Sequence, residues 1–378
     1  MDLKHYKAGV FTKQYDYKSF SPNPINQQWH IDSPEINTLL EEANLRLGEL
    51  NAFSSFVPDV DVFIRMHIVK EATQSSRIEG TRTRMDEAVL EAKDINPEDK
   101  DDWQEVQNYI EAMNYSIQRL ETLPLSSRLM REAHKILLQG VRGKNKLPGE
   151  FRTSQNWIGG ATLRDAVFIP PHHSLVAEAI GDIEKFLNND DIKVPHLIRI
   201  GMAHYQFEAI HPFLDGNGRI GRLLITLYLI NQKVLSRPTL YLSDFIEKHR
   251  LPYYDNLLAV SLNGNMEQWL KFFLVGVTQT AKKATATLMN IIALRDKLEK
   301  ETILTLGKRV PNAKALLAYL YSKPVVTVAD VIAKLDVTKQ TANALITDFE
   351  NLGILKEQTG YKRNRIFVFK EYLSLFEK

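Results

Sequence analysis

Apolar residues recur at helical spacing through most of the chain, and two adjacent runs do so on either side of one polar loop. Leu197, Ile200, His204, Phe207 and Ile210 share one helical face, and Leu223, Leu224, Leu227, Tyr228 and Ile230 share another. Between them lies His211 to Arg222, HPFLDGNGRIGR. Upstream, Ile36, Leu39, Leu40, Ala43, Leu45 and Leu47 predict a helix opening at Pro34. Val62, Met66, Val69 and Thr73 predict a second from Val60 to about Glu79. Residues 84 to 122 read as largely helical, with an acidic connector from Pro97 to Asp102 between two helices. Leu129, Met130, Ala133, Ile136 and Leu137 mark a core helix over Ser126 to about Gly140. Residues 1 to 35, rich in Asn, Pro, Ser and aromatics, read as an irregular arm. The stretch PGEFRTSQNWIGGATLRDAVFIPP is the only one with β character and predicts a short hairpin about Gly159 and Gly160.

The loop is dense in chemistry. Glycines at 216, 218 and 221 stand where a helix begins, so free N–H groups and the positive end of the helix dipole face outward. Asn217 can add an amide N–H, and Arg219 and Arg222, three apart on one helix face, can grip phosphate oxygens. Asp215 in such a pocket calls for a cation between it and the phosphates, and Mg²⁺ commonly bridges one or two carboxylates to substrate phosphates; Mn²⁺ can serve the same purpose. His211 is then the neutral base beside the anion site. GNGRIG also fits the bare G-x-G-x-x-G pattern. A helix and His-Pro-Phe precede it, however, and no acid follows from Leu235 to Leu242, so a dinucleotide fingerprint is excluded.

HPFLDGNGRIGR resembles the signature of the Fic family, H-x-F-x-[DE]-G-N-[GK]-R-x-x-R, at every fixed position. The resemblance implies a mainly α fold, a Fic-type helical core with a small β-hairpin flap. It also implies transfer of AMP from ATP to a Tyr, Ser or Thr hydroxyl of a target protein or of the chain itself. Position by position it implies His211 as general base, Phe213 as a core anchor, Asp215 as Mg²⁺ ligand, and Gly216, Asn217, Gly218 and Arg219 as phosphate cradle with Gly221. Arg222 would meet the γ-phosphate. Family members that act as kinases tend to carry Ala and Lys where this chain has Gly216 and Gly218, which favours adenylyl transfer. Ser75, Glu79 and Gly80 resemble the family's inhibitory helix, [ST]-x-x-x-E-[GN], whose glutamate pairs with the second signature arginine. Read without the family, the same residues are a surface helix end. Glu79 would act as a brake, or would position a water that removes AMP from a modified target. GEFR-x-x-QNWIG resembles the flap that aligns a target's backbone, here near Ala166, Val167 and Phe168. Tyr253 and Tyr254 resemble the pair that lines the adenine pocket, and can otherwise be core aromatics.

After the signature, residues 241 to 277 read as two helices joined at Asn263, Gly264 and Asn265, and residues 281 to 305 as a long connecting helix. From Pro311 a separate pattern of three helices and a strand hairpin resembles a winged helix. Its wing carries Lys356, Lys362, Arg363, Arg365 and Lys370, a cluster that can contact DNA phosphates. The expected domains are an N-terminal helical region with the inhibitory helix over 1–110, the catalytic core over 111–283, the connecting helix over 284–305 and the C-terminal domain over 306–378. A nucleotide-sensing, DNA-binding regulator is the reading from another class, and a homodimer that stabilises the brake is compatible with either.

Composition trims these readings. With 378 residues, 44% hydrophobic and 25% charged, the chain has the make-up of a soluble globular protein. A net charge of +2 argues against a chain-wide polyanion-binding role. No cysteine is present, which excludes disulfides, thiolate metal sites and cysteine nucleophiles. His172 and His173 lack a carboxylate partner at metal-binding spacing and read as loop residues. No apolar run suggests a signal segment or a membrane span, and the expectation is a cytoplasmic protein without membrane contact.

Overall fold

The computed structural model describes residues 1–56, 60–360 and 365–377. Fifteen helices are labelled in chain order: α1 Pro34–Phe56, α2 Val60–Ile78, α3 Met85–Ala88, α4 Lys100–Arg119, α5 Ser127–Leu137, α6 Val176–Asn188, α7 His196–Ile210 and α8 Asn217–Asn231 form the larger part. They are followed by α9 Ser243–Lys248, α10 Arg250–Asn263, α11 Met266–Lys297, α12 Val310–Ser322, α13 Val328–Leu335, α14 Lys339–Asn351 and α15 Lys370–Glu377.

Helix α7 is buried from Leu197 through Ile210, and α8 nearly so. A helix apolar all round belongs at the centre of a domain. Helices α6, α8, α10 and α11 pack against α7, while α2, α4 and α5 pack against α8. The loop between α7 and α8 is thus held by the best-buried elements of the molecule. Helix α1 lies along α11, its apolar stripe at Ile36, Ala43, Leu47 and Leu50 fully covered. Leu45, assigned above to that stripe, is exposed.

The N-terminal arm is not irregular. Strands β1 Gly9–Lys13 and β2 Lys18–Pro22 pair antiparallel, with Phe11 opposite Phe20. Among its apolar residues only Phe20 is deeply buried, and polar Ser19 is buried beside it, so the segment lacks the alternation that would have betrayed it. The hairpin expected at 157–169 shrinks to one bridge, Ile158 opposite Phe168. Asp165 accepts hydrogen bonds from the N–H groups of Ala161 and Thr162, folding the tip into a tight loop in place of two paired strands. The Phe20 N–H donates to Ile169 O at 2.8 Å, so β2 continues the edge of this flap-like segment, and Phe11, Phe20 and Phe168 cluster behind it.

Two further readings change. Helix α3 is only four residues long, and the acidic run Asp99 to Asp102 supplies the start of α4, where negative charge suits the dipole. Helix α4 runs through the boundary expected at 110/111, and α11 runs unbroken through the one at 283/284. Neither point has a glycine, proline or composition break.

The C-terminal part forms the order α12, β3 Val325–Thr327, α13, α14, β4 Lys356–Glu357, β5 Ile366–Val368, with β5 between β3 and β4 in one antiparallel sheet. Thr327 and Thr338 cap α13 and α14, satisfying N–H groups of their first turns. Lys362 and Arg363 of the basic cluster lie outside the described residues. Lys370 belongs to α15, not to the strand. Helix α15 returns to α11, and Phe376 meets His67 of α2 ring to edge.

Candidate active site

His211 ends α7 with a left-handed backbone, φ 50° and ψ 62°, a conformation uncommon outside glycine. Neighbours hold it there. Arg152, almost fully buried, donates from Nε to His211 O at 2.9 Å and from Nη2 to Pro171 O at 2.5 Å and Ile210 O at 3.3 Å. Asn156 Nδ2 donates to His211 O at 3.1 Å and Phe213 O at 3.0 Å. The arginine and asparagine of GEFR and QNW therefore clamp the signature loop to the flap-like segment.

The middle of the loop is closed by its own side chains. Phe213 is buried, and the His134 ring stacks on it at 3.8 Å. His134 accepts the Gly149 N–H at Nδ1, so its Nε2–H donates to Asp215 O at 3.0 Å. Asn217 turns inward: its Oδ1 accepts the Phe213 N–H and its Nδ2 donates to Phe213 O, each at 2.8 Å. The side chain expected to reach an anion shapes the loop instead. Gly216 caps α8 at φ 74°, and the helical ladder begins with Ile220 N–H to Gly216 O. The N–H groups of Asn217, Gly218 and Arg219 precede that bond, which makes this helix start an anion-binding edge.

Each signature arginine is buried and paired. Arg219 Nη1 donates to Glu105 at 3.2 Å and Nη2 to Asp215 at 3.4 Å. Arg222 donates from Nε to Ser75 Oγ at 2.9 Å, and from Nη2 to Ser75 O at 2.9 Å and Glu79 Oε1 at 2.7 Å. The pair lies directly over the start of α8. A Cβ at Gly218 would sit 2.4 Å from Glu79 Oε1 and 2.9 Å from Arg222 Nη1, so only glycine admits this approach. Burial pushes the Glu79 carboxyl up, but the Arg222 guanidinium outweighs it and leaves the group below its ordinary range.

Glu79, His211, Gly218, Arg222, Tyr253, Tyr254, Val167 and Phe168 line one cavity of about 590 Å³, within the range of small-molecule sites. Tyr253 is buried, and its O–H lies 2.9 Å from His204 Nε2, while His204 Nδ1 lies 2.9 Å from Gly221 O. The carbonyl requires Nδ1–H to donate, so Nε2 accepts from Tyr253. Tyr254 stays 39% exposed and closes the cavity's outer edge. Ala166 faces a separate depression with Tyr17 and Arg164. Burial pushes the His211 imidazole down to about 4. Its Nδ1 lies 3.3 Å from Glu208 O and so carries the proton, leaving Nε2 bare.

Arg152, Asn156, His134, Glu105 and Glu208 join the site without having been singled out as functional by sequence. Glu208 lines the cavity beside Arg222, and burial lifts its carboxyl to about 7. Its place three residues before His211, on a helix buried all round, was the available signal.

Residues 37–118 match the Fic/DOC family N-terminal model, and residues 124–229 match the Fic/DOC family model, which contains the whole loop. The chain belongs to the Fic/DOC family. It is 25% identical over 285 residues to a protein adenylyltransferase Fic of Drosophila grimshawi, covering 71% of this chain and 56% of that protein. It is 34% identical over 126 residues to one of Aedes aegypti, covering 33% and 22%. The chain spans about half the length of the curated relatives it matches over 285 residues or more. Among solved structures, a Fic family protein from Desulfovibrio desulfuricans aligns with a TM-score of 0.57 at 19% identity, covering 91% of this chain and 98% of that one. A Fic domain containing signaling protein from Bacteroides thetaiotaomicron aligns at 0.52 and 17% identity, covering 66% and 95%. The mainly helical Fic fold is therefore established. Among the described residues no helix is long and apolar enough to cross a membrane.

Proposed function

We propose that this Fic/DOC protein is a protein adenylyltransferase that carries AMP from ATP to a hydroxyl side chain, restrained in cis by Glu79. The observation that carries the reading is the convergence on one cavity of a neutral imidazole, an anion-binding helix start and an arginine already engaged by a carboxylate. The names of the relatives, protein adenylyltransferase Fic, agree with it.

ATP lies with its phosphates over the N-terminus of α8 and its base toward Tyr253 and Tyr254. A target strand adds near Val167 and Phe168, along the edge opposite the bridge to Ile158, where β2 already pairs the Ile169 end. The target hydroxyl gives its proton to His211 Nε2 as its oxygen attacks the α-phosphorus. One O–P bond forms, the bond to the β-phosphate bridge breaks, and pyrophosphate leaves with the electron pair. Backbone N–H groups at the helix start meet the charge that grows on the α-phosphate.

Mg²⁺ fits this donor set only together with the nucleotide. Asp215 presents a carboxylate with 41% of its side chain exposed at the loop rim, and no cluster of three metal-ligating side chains exists among the described residues. One carboxylate plus substrate phosphates is the usual Mg²⁺ arrangement. When bound, the ion would draw off phosphate charge; positioning and proton transfer remain with the residues named above.

While Glu79 holds Arg222, the γ-phosphate has no clamp, and ATP is presented in the wrong pose for in-line attack. Incubation with α-labelled ATP tests the whole reading: label enters protein in wild type and is absent in His211→Ala. Tight nucleotide binding without any transfer would instead favour a nucleotide-sensing regulator. For the C-terminal part we read a winged helix, supported by the exposed first turn of α14 at Thr338, Lys339 and Gln340 and by Arg365 over the Phe367 ring. Salt-sensitive retardation of duplex DNA that Arg365→Glu weakens tests a nucleic-acid role; no retardation at low salt rejects it.

A further inference from the structure

A second cavity, of about 150 Å³, lies between α2, α9 and α11. Its α2 wall is made by His67, Lys70 and Gln74, which share a stripe of the helix that ends one residue before Glu79. Three ammonium groups converge on one carboxylate oxygen: Asp244 Oδ2 lies 2.5 Å from Lys283 Nζ, 3.4 Å from Lys248 Nζ and 3.9 Å from Lys70 Nζ. Asp244 is the only carboxylate to which any of the three is bridged among the described residues. The other acid in the wall, Glu71, is spent elsewhere, accepting from Tyr109 and Ser243.

Charge and hydrogen bonding are both left incomplete. Three cations face one available anion, and Lys70 is only 15% exposed. His67 Nε2, Tyr241 Oη and Gln74 Oε1, all on residues of the wall, lack hydrogen-bond partners among the described residues. Buried polar atoms and crowded ammonium groups are costly unless something satisfies them. Lys248, half exposed, marks the mouth through which a ligand enters.

We propose that this cavity is a binding site for a compact oxyanion of the phosphate class, held by Lys70, Lys248 and Lys283 beside Asp244. Tyr241 O–H donates to the anion, and His67 does so as its Nε2–H tautomer. Gln74 Oε1 accepts from a hydroxyl that such an anion carries. The ligand bridges α2, which leads directly into Glu79, to α9 and α11. Resting on the transferase reading, this bridging keeps Glu79 on Arg222 and slows transfer.

The experiment is a phosphorus NMR titration of the full chain with inorganic phosphate, in wild type, Lys283→Met, Lys248→Met and Lys283→Arg. Wild type is expected to bind, Lys283→Met and Lys248→Met to weaken or remove one site by about tenfold or more, and Lys283→Arg to retain it. Lys248 is exposed enough that its variant keeps the fold if Lys283→Met does not. No binding at about 10 mM phosphate, or binding equal in all four proteins, overturns the site. A second arm uses glycerol phosphate: competition assigns the site to phosphomonoesters, and exclusion assigns it to free phosphate. Self-labelling that phosphate slows in wild type but not in Lys248→Met supports the bridge. Equal slowing in both removes the bridge without touching the binding result.

Discussion

Glu79→Gly removes the carboxylate that engages Arg222 while leaving that arginine its two bonds to Ser75. The lost contact is a charge-assisted hydrogen bond of 2.7 Å to a guanidinium that is 2% exposed. Such bonds contribute about 1.5–3 kcal/mol, and since 33% of the Glu79 side chain meets solvent, the lower part of that range applies. If the γ-phosphate must displace Glu79 to reach Arg222, about 1.5–2 kcal/mol returns as a ten- to thirtyfold faster transfer, at about 1.4 kcal/mol per decade. The assay is self-labelling with α-labelled ATP at subsaturating nucleotide, alongside a thermal melt. Arg222 loses its counter-charge, so the melting temperature is expected to fall, which separates the gain in rate from any gain in folded protein. Ser75→Ala should raise labelling less, because Ser75 O and Glu79 still hold Nη2. A labelling rate unchanged in Glu79→Gly, in protein that still melts cooperatively, refutes the brake.

Four further outcomes are expected. His211→Ala should lower transfer by about 10²–10⁴-fold while leaving ATP binding nearly unchanged, measured by single-turnover labelling beside nucleotide titration. Chelation of divalent ions should abolish transfer, and Asp215→Asn should raise the Mg²⁺ concentration required; labelling at full rate in chelator rejects the assigned ligand. Asn156→Ala should reduce the rate with little change in the affinity for ATP, since Asn156 holds carbonyls of the loop and does not line the cavity. Stability should fall in mild acid. His67, held down to about 3, and His134, His204 and His211, held down to about 4, stay neutral in the fold while the unfolded chain protonates near 6.5. Between 6.5 and 4 the unfolded state therefore binds more protons, and each histidine removes about 1.4 kcal/mol per pH unit. Glu208, lifted to about 7, offsets one of them from about 4.5 to 7. Denaturant midpoints against pH check this, and a flat profile from 7 to 5 contradicts it.

The loop and its two flanking helices were legible because each helix repeats apolar residues at helical spacing, while glycines and charged groups crowd into the turn between them. The contact between Glu79 and Arg222 was legible only through the family's motif. Its partners stand 143 residues apart, and no local pattern records a meeting at that range. What escaped notice was set by partners rather than by periodicity. The β1–β2 hairpin exposes Val10 and Phe11 and buries little besides Phe20, so its pairing shows only once Ile169 supplies an edge. Asn217 looked like an anion donor because nothing in its sequence neighbourhood announces that Phe213 uses both ends of its amide. The expected hairpin failed for a similar reason: Asp165 offers the tip a local carboxylate that competes with cross-strand bonds.

Arg152 reaches from the segment that would receive a target to the carbonyls on both sides of the His211 imidazole. In the proposed transfer, docking ledge and proton acceptor are thereby fastened as one rigid jig. Such a jig gauges how far an acceptor's alcohol projects from its main chain and is indifferent to most of the neighbouring side chains. Selectivity among clients would then reside in the rim around the ledge, where Trp157 and Val167 stand exposed, so a change of clientele needs new surface residues and no alteration of the chemistry.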